Sequence, residues 1–429
     1  MVEASADGAT AVGGVRSYLA VLRTPGLPVW TLVLLCQRLP VAMAPLALVY
    51  LGREVTGSFA AGALLAGGHA LAEAACASWL GRRFDRRPAG REAFLVLGAE
   101  AAICLALAAF AHVLPFPVIV ALAALGGGVA AGANGGLRSL LQHLVPPGAR
   151  PAAFGFEETA SATMWAAAPA LVAALVVLGS GTWPTAAMGA AAAVGAIAAL
   201  GLASAPPAEP PAPGPARAGA LGRIWPSLTL DGLAMFTLGA ASTSLPSLLT
   251  GLGAGESAPG LVLSAASVAG VVGGFCYGLR RWPAQRLHSG ALLVCYCAVT
   301  ACLALAPGWP AVAALFVVAG LVQTPTLVSR AMVVQGQLPE SRWAFGFSSL
   351  YAAKGLGYGA SGVLVAALLT SIGPGPAVGV CALAAALVGL AAVCCDLALG
   401  RRPAPRPDTG VDRAGGPGQL PEEGGEALR

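Results

Sequence analysis

Long apolar runs separated by short polar loops dominate this chain of 429 residues. Hydrophobic residues make up 57% of the sequence and charged residues only 10%, whereas a soluble domain carries about 25% charged residues. A helix that crosses a bilayer needs about 20 mostly apolar residues, and twelve runs meet that criterion. We therefore predict an all-α integral membrane protein with twelve transmembrane helices in the lipid bilayer.

The predicted spans fall into two groups of six, with a Pro-rich stretch between the groups. The first six lie near residues 28–50, 58–80, 92–112, 116–138, 157–179 and 184–204. The second six lie near 225–249, 258–279, 290–307, 310–333, 345–370 and 375–399. These limits predict a cytoplasmic N-terminal segment (1–27), six-helix bundles (28–204 and 225–399), a stiff extended linker (205–224) and a disordered cytoplasmic tail (400–429).

Two stretches of the sequence repeat one another at a distance of about 192 residues. The repeated elements are Arg138, Pro147, Arg150 and Phe154-Gly155-Phe156 in the first copy, and Arg330, Pro339, Arg342 and Phe345-Gly346-Phe347 in the second. Further along, the string Leu-Val-Ala-Ala-Leu occurs at both 171–175 and 364–368. Such a repeat predicts two pseudo-symmetric six-helix bundles in the same orientation, with a path between them.

The distribution of arginine predicts how the chain crosses the membrane. If the N-terminus lies in the cytoplasm, the outside loops hold only Arg53. The cytoplasmic loops then hold Arg82, Arg83, Arg86, Arg87, Arg91, Arg150, Arg217, Arg223, Arg280, Arg281, Arg286 and Arg342. We therefore predict a multi-pass plasma membrane protein with both termini in the cytoplasm.

Several function classes are disfavoured by residue types that the sequence lacks. All ten cysteines fall inside apolar runs, where free buried thiols are expected, and Cys295 and Cys297 have the wrong spacing for a zinc half-site. A Gly-rich phosphate loop followed by Lys is absent. Nucleic-acid surfaces use Lys as well as Arg, and the chain has a single Lys, at position 354. We therefore predict no metal, no cofactor, no nucleic-acid partner and no enzymatic activity.

The loop after the second span carries a recognisable motif. It reads Gly81-Arg82-Arg83-Phe84-Asp85-Arg86-Arg87-Pro88-Ala89-Gly90-Arg91. This resembles the signature loop of the major facilitator superfamily, in which Gly and three residues precede Asp-Arg, one residue and Gly-Arg-Arg/Lys. Here two extra residues separate Asp85-Arg86 from Gly90-Arg91, and Glu92 replaces the final base. A weaker copy, at 278–281, follows the eighth span.

The resemblance extends over residues 25–400 through the span count and the repeat. The first span, with Arg38-Leu39-Pro40 and Met43-x-Pro45-Leu46, is similar to that of actinobacterial-type facilitator permeases, which are regarded as exporters. In the family, the loop Asp lies near the start of the eleventh helix and pairs with a base at the end of the fourth, where it latches one conformation. The resemblance therefore implies a latch made of Gly81, Asp85, Arg86, Gly90, Arg91 and Arg138, with Asp85 facing 345–349.

A carboxylate at a helix N-terminus is stabilised by about 0.3–1 kcal/mol, which suits such a latch. Alternatively, the arginines of this loop only set the orientation in the membrane.

Each ionisable residue inside a predicted span needs a partner, because a charge at the membrane centre costs about 2.5–3.5 kcal/mol on insertion scales. Lys354 and Asp231 lie at similar depths on helices that are neighbours in this fold, so we predict an ion pair between them. We predict Arg38 and Glu158 as the charge-reversed pair of the first half, with Glu73 as an alternative partner of Arg38. Lys354 either takes part in transport or is paired structurally.

His69 and Glu73, four residues apart, share one face of the second helix. A histidine near mid-membrane can carry a proton at physiological pH, which suggests proton coupling; alternatively, a neighbouring carboxylate merely satisfies the histidine. Glu100, in a peripheral span, is interpreted as structural. The predicted intramembrane charge site comprises Arg38, His69, Glu73, Glu158, Asp231 and Lys354.

Aromatic and amide side chains predict a cavity suited to an amphipathic organic molecule. They are Gln37, Asn134, Trp165, Phe236, Gln323, Tyr351 and Tyr358. We therefore predict a monomeric secondary transporter that moves a small organic molecule by alternating access, with protons as the coupling ion and efflux as the direction. The alternatives are a permease that imports a metabolite by symport or facilitated diffusion, and a membrane sensor or enzyme without transport.

Overall fold

The computed structural model describes residues 18–146, 149–202, 217–280, 282, 284–338 and 343–400. Within these ranges the chain is almost entirely helical and contains no strand. The long helices are α1 (Leu27–Thr56), α2 (Phe59–Arg86), α3 (Ala89–Phe110), α4 (Phe116–Ala130), α5 (Ala133–Leu144), α6 (Arg150–Leu178), α7 (Trp183–Ala199), α8 (Arg217–Gly251), α9 (Ala258–Gly278), α10 (Gln285–Ala301), α11 (Trp309–Gln337), α12 (Trp343–Ser371) and α13 (Pro374–Gly400).

These helices account for the membrane spans expected from the sequence. Eleven spans are long and apolar enough to cross a membrane, with α4 and α5 together forming one of them over 116–144. The remaining apolar helix, α7, has 17 residues and occupies the place of the sixth predicted span. The chain is therefore a multi-pass membrane protein, and the predicted fold class is confirmed.

Local backbone chemistry explains the limits of α1. Gly26 and Gly57 flank the helix with left-handed φ values of 84° and 72°, which glycine adopts at little cost. Pro28 occupies the first turn, where its missing N–H leaves no helical hydrogen bond unmade. Other limits differ from the prediction: α6 begins at Arg150 and α8 at Arg217, inside the predicted linker. Each helix begins with an arginine, which lowers the local hydropathy, so hydropathy alone does not include these first turns.

Glycine lets α2 and α4 approach closely, as the Gly triplet at 126–128 indicates. A Cβ atom on Gly127 would overlap the backbone of His69, and one on Gly128 would lie 3.3 Å from Sγ of Cys76. Small residues permit such backbone contact between membrane helices. His69 is therefore held firmly against α4.

The first half (α1–α7) and the second half (α8–α13) meet along two helix pairs, α2 with α12 and α6 with α9. In the first pair, Gly362 packs on Gly67 and Gly359 on Leu71. In the second pair, a Cβ atom on Gly260 would overlap the carbonyl of Pro169. The halves thus meet through glycine contacts in both pairs.

The loops distinguish two ends of the molecule. We call the end with the α2–α3 junction the basic end, and the end with the α1–α2 junction the distal end. At the distal end, Nη1 of Arg53 lies 3.1 Å from Oε1 of Glu256 in the other half. The hydroxyl of Tyr50 donates to the backbone carbonyl of Glu256 at 2.8 Å. These contacts join the two halves at the distal end.

Toward the basic end, side chains that face the other half are open to solvent. Tyr351 lies one turn before Gly355, which packs on Ala74 of α2, and yet Tyr351 is 40% exposed. The hydrogen bond that Tyr351 makes across to Glu73 of the first half is itself exposed. The space between the halves therefore opens toward the basic end.

Candidate functional site

A cluster of two arginines and two glutamates lines the first half. Nη2 of Arg38 lies 3.3 Å from Oε1 of Glu157, and its Nε donates to Oγ of Ser161 at 3.1 Å. Arg138 reaches Oε2 of Glu157 at 3.3 Å and Oε1 of Glu158 at 3.0 Å. The predicted partner of Arg38, Glu158, is therefore wrong, because Glu157 takes that place.

Helix geometry explains why Glu157, and not Glu158, binds Arg38. Successive residues of an α-helix point about 100° apart, whereas residues four apart share a face. Glu157 and Ser161 therefore both face α1, where Arg38 binds them, and Glu158 turns toward solvent. Glu157 is only 1% exposed, so its charge is balanced by two arginines rather than by water.

The second half holds the predicted contact between Lys354 and Asp231. Nζ of Lys354 in α12 lies 3.3 Å from Oδ2 of Asp231 in α8. The Lys354 side chain is 30% exposed and that of Asp231 only 1%. The ammonium group therefore faces the open space, and the carboxylate lies behind it. The part of this pair in transport stays a prediction.

A fully buried charge network in the second half escaped the sequence analysis. Nη1 of Arg330 in α11 lies 3.0 Å from Oδ2 of Asp396 in α13, and their side chains are 2% and 1% exposed. Nε2 of Gln337 donates to Oδ1 of Asp396 at 3.1 Å, and Arg286 donates to its backbone carbonyl at 3.1 Å. The sequence offered one indication of this network, because Asp396 is the sole acid in the last apolar run.

Glu73 joins the two halves near these ion pairs. The hydroxyl of Tyr351 in α12 donates to Oε1 of Glu73 in α2 at 3.2 Å. Tyr351 lies one turn before Lys354 on the same helix. On its other side, Glu73 feels the charge of Arg38. Glu73 therefore connects the charged groups of the first half with those of the second.

His69 is buried rather than exposed to the central space. Its Nδ1 lies 3.0 Å from the carbonyl oxygen of Ala123 in α4, and the side chain is 7% exposed. Because a carbonyl oxygen can only accept, Nδ1 carries a proton and donates it. A backbone carbonyl thus replaces the carboxylate that was expected to satisfy His69.

The predicted cavity residues divide by exposure. Trp165 and Tyr351 are 43% and 40% exposed, and Gln323 is partly exposed. Gln37 is buried, and the buried hydroxyl of Tyr358 pairs with that of Ser242 at 2.9 Å inside the second half. Phe236 packs into the core. The structure therefore buries Gln37 and Tyr358 and leaves Phe236 and Gln323 partly exposed, and the side chain of Asn134 lies outside the described residues.

The signature loop contains an ion pair that the motif does not predict. Nε of Arg83 lies 2.7 Å from Oε1 of Glu92, and Arg87 approaches Oε2 at 3.5 Å. Glu92 is 1% exposed, so the residue that departs from the motif is the buried acid of this loop. Gly90 packs on the carbonyl of Ala199, 2.7 Å from where its Cβ would lie.

The proposed latch remains a prediction. The side chains of Asp85 and Arg86, and the surroundings of Gly81, lie outside the described residues. Arg91 is exposed, and Arg138 contacts Glu157 and Glu158. Within the described part of the chain, no group of His, Cys, Asp and Glu could hold a metal ion.

Comparisons with known proteins give matches among solved structures only. No family model and no curated protein matches the sequence. The nucleoside transporter NupG is 13% identical with a TM-score of 0.67, over 87% of this chain and 99% of that one. A bacterial homologue of the human lysosomal transporter Spinster, inward-facing and occupied, is 16% identical with a TM-score of 0.61, over 89% of this chain and 94% of that one.

A D-xylose–proton symporter is 16% identical with a TM-score of 0.62, over 85% of this chain and 95% of that one. At such identities the likeness shows the fold, and it says nothing about the actinobacterial-type subgroup. The repeated halves, the helix count and these matches agree, and the chain therefore has the fold of the major facilitator superfamily.

Proposed function

We propose that this protein is a secondary transporter that exports a small organic molecule across the plasma membrane in exchange for protons. The basic end and both termini face the cytoplasm, as the arginine distribution favours. The space between the halves then opens to the cytoplasm, where cargo for export would enter. The structural neighbours are transporters of nucleosides and of xylose, among others, which supports transport as the activity. A single chain suffices for this path.

The observation that carries this proposal is the hydrogen bond between Glu73 and Tyr351. It joins the two halves at a charged group inside the membrane, beside the Arg38–Glu157 and Lys354–Asp231 pairs. A change between inward-open and outward-open states must remake contacts between the halves. A proton on Glu73 changes its charge and therefore biases which state forms.

Charges at this depth are costly, about 2.5–3.5 kcal/mol each on insertion scales. Chains keep such groups where they carry ions, protons or substrates. Glu157 and Asp231 are each 1% exposed and bound to a cation, whereas Glu73 is only partly buried. We assign proton binding to Glu73.

The test uses inside-out vesicles that contain the full chain. In such vesicles the lumen corresponds to the outside of the cell, so an acidic lumen drives protons outward through the transporter as an acidic medium drives them into a cell. Accumulation of amphipathic probe compounds in the lumen is followed by fluorescence. We expect gradient-driven accumulation in the wild type and a loss of at least about tenfold in Glu73→Gln, since the neutral amide cannot exchange a proton.

Glu54→Gln is the matched control, because it removes the same charge at an exposed position at the distal end, outside the central site. This variant should accumulate the probes like the wild type. Accumulation that ignores the gradient, or that survives Glu73→Gln, contradicts proton exchange. Gradient-driven loss of probe from the vesicles would instead favour the importing permease.

A further inference from the structure

The central site contains two cations, each bound to an acid, and one further acid, Glu73. Arg38 is paired with Glu157, and Lys354 with Asp231, at 3.3 Å in each case. Glu73 forms no ion pair with any residue that the structure describes. It accepts a hydrogen bond from the neutral hydroxyl of Tyr351. If all groups are ionised, the two pairs cancel and Glu73 leaves the site with one negative charge.

The helices around α2 add little positive charge to this site. The groups that contact or act on Glu73 are the Tyr351 hydroxyl of α12 and the Arg38 guanidinium of α1. Arg38 is itself bound to Glu157, which Arg138 also contacts, and Lys354, one turn after Tyr351, is bound to Asp231. The proton on Nδ1 of His69 is used by a carbonyl, and Glu100 is a buried acid that adds no positive charge.

Aromatic surface lies next to this carboxylate. The ring of Tyr351 is 40% exposed although its hydroxyl binds Glu73. Aromatic faces attract cations through their negative π surface. A carboxylate beside an exposed aromatic ring is therefore a site for a positive charge attached to an apolar body.

We propose that the cargo is a monovalent organic cation with an apolar or aromatic body, and that Glu73 binds its positive charge. This inference rests on the proposed function and names its substrate class. Because one carboxylate holds either the cation or a proton, the two compete, which is what exchange requires. The exchange of one proton for one monovalent cation moves no net charge.

The opposite assignment, an organic anion held by Arg38 and Lys354, has a specific cost. Each of these cations would have to leave a carboxylate that is 1% exposed. A buried charge that loses its partner is strongly destabilising. Binding of a cation at Glu73 requires no such separation, since only a neutral hydroxyl must yield. The anion is nevertheless an explicit outcome of the following test.

The experiment measures binding to the purified full chain in detergent with two probes of equal shape and opposite charge. Radiolabelled tetraphenylphosphonium is the cation, and tetraphenylborate is the anion. We expect saturable binding of the cation at pH 8 that weakens toward low pH, by about tenfold per pH unit once Glu73 takes up a proton. The anion should neither bind saturably nor displace the cation.

Three variants locate the binding charge. Glu73→Gln should weaken cation binding at least about tenfold and remove its pH dependence, whereas Glu73→Asp should retain the pH dependence with weaker binding. Glu54→Gln, at the exposed distal end of α1, should match the wild type. Monodisperse elution of each variant checks folding, and the Asp variant keeps the test decisive if the Gln variant does not fold.

The inference is overturned if the cation shows no saturable binding, if the Asp variant loses the pH dependence, or if tetraphenylborate binds saturably and Lys354→Ala abolishes that binding. The proposed function fails separately. If the cation binds at Glu73 but vesicles show no gradient-driven transport, the binding site stands and the proposed proton exchange is contradicted. If vesicles transport uncharged or anionic probes along the gradient and the cation does not bind, only the proposed substrate class is contradicted.

Discussion

The two copies of the repeat place the same arginine in opposite surroundings. Arg138 in the first half is 44% exposed and contacts two glutamates, one of them 64% exposed. Its counterpart Arg330, 192 residues later, is 2% exposed and binds Asp396, which is 1% exposed. The fold repeats, but the electrostatic environment does not.

This difference divides the molecule into a half in which the repeated arginine is exposed and a half in which it is buried. Exposed ion pairs contribute about 0–1 kcal/mol, because water competes for both partners. Loss of one partner from a buried pair costs about 3–5 kcal/mol, because the other charge remains desolvated. The network around Asp396 therefore stabilises the second half, while in the first half the exposed Glu158 can change partners at little cost.

Asp396→Asn should have the largest effect on stability. It leaves the Arg330 guanidinium buried without its carboxylate, and we expect the free energy of unfolding to fall by about 3–5 kcal/mol. Thermal unfolding of the purified protein in detergent measures this as a lower midpoint. The double variant Arg330→Met/Asp396→Leu should recover most of the loss, since apolar replacement of a whole buried pair is often neutral. A midpoint unchanged by Asp396→Asn would contradict the division into halves.

Lys354→Ala should have an intermediate effect on stability and a large effect on transport. It leaves Asp231, which is 1% exposed, without its cation, and we expect a loss of about 1–3 kcal/mol. The loss is smaller than for Asp396 because the Lys354 side of the pair is open to water. Gradient-driven accumulation in vesicles should fall at least about tenfold.

The double variant Lys354→Ala/Asp231→Asn separates structure from transport, because it removes both charges. It should regain thermal stability without regaining transport. Recovery of both would mean that the pair is purely structural. Normal transport by Lys354→Arg would argue for the same interpretation, since a guanidinium preserves the charge but not the compact ammonium.

The sequence determined the fold because span length and hydrophobicity are local properties. Twelve apolar runs and a repeat at about 192 residues suffice to give the helix order and the two halves. The contact of Lys354 with Asp231 could be predicted because it needed only two similar depths on neighbouring helices. Depth can be counted along a chain, at about 1.5 Å per residue.

The remaining contacts depend on helix rotation, which cannot be counted in the same way. Glu157 and Glu158 are adjacent, and only the azimuth of α6 decides which of them meets Arg38. Asp396 was overlooked because its partners, Arg330 and Gln337, come from a helix about 60 residues earlier. Tyr358 differs from Tyr351 in depth rather than in azimuth, because residues seven apart lie on nearly the same face of a helix. Two turns further along α12, Tyr358 is buried and its hydroxyl pairs with that of Ser242.

Arg138→Gln should have the smallest effect on stability, and it tests the comparison most directly. We expect a loss of about 0.2–1 kcal/mol in the free energy of unfolding, because water solvates Glu158 and Arg38 remains to balance Glu157. The same substitution in the second copy, Arg330→Gln, should cost several times more, since it strands the buried Asp396. Thermal unfolding at low and high salt distinguishes the two sites, because salt screens exposed pairs far more than buried ones. The loss in Arg138→Gln should therefore shrink in high salt and that in Arg330→Gln should persist, whereas equal losses at both positions would mean that the repeat preserves electrostatics as well as fold.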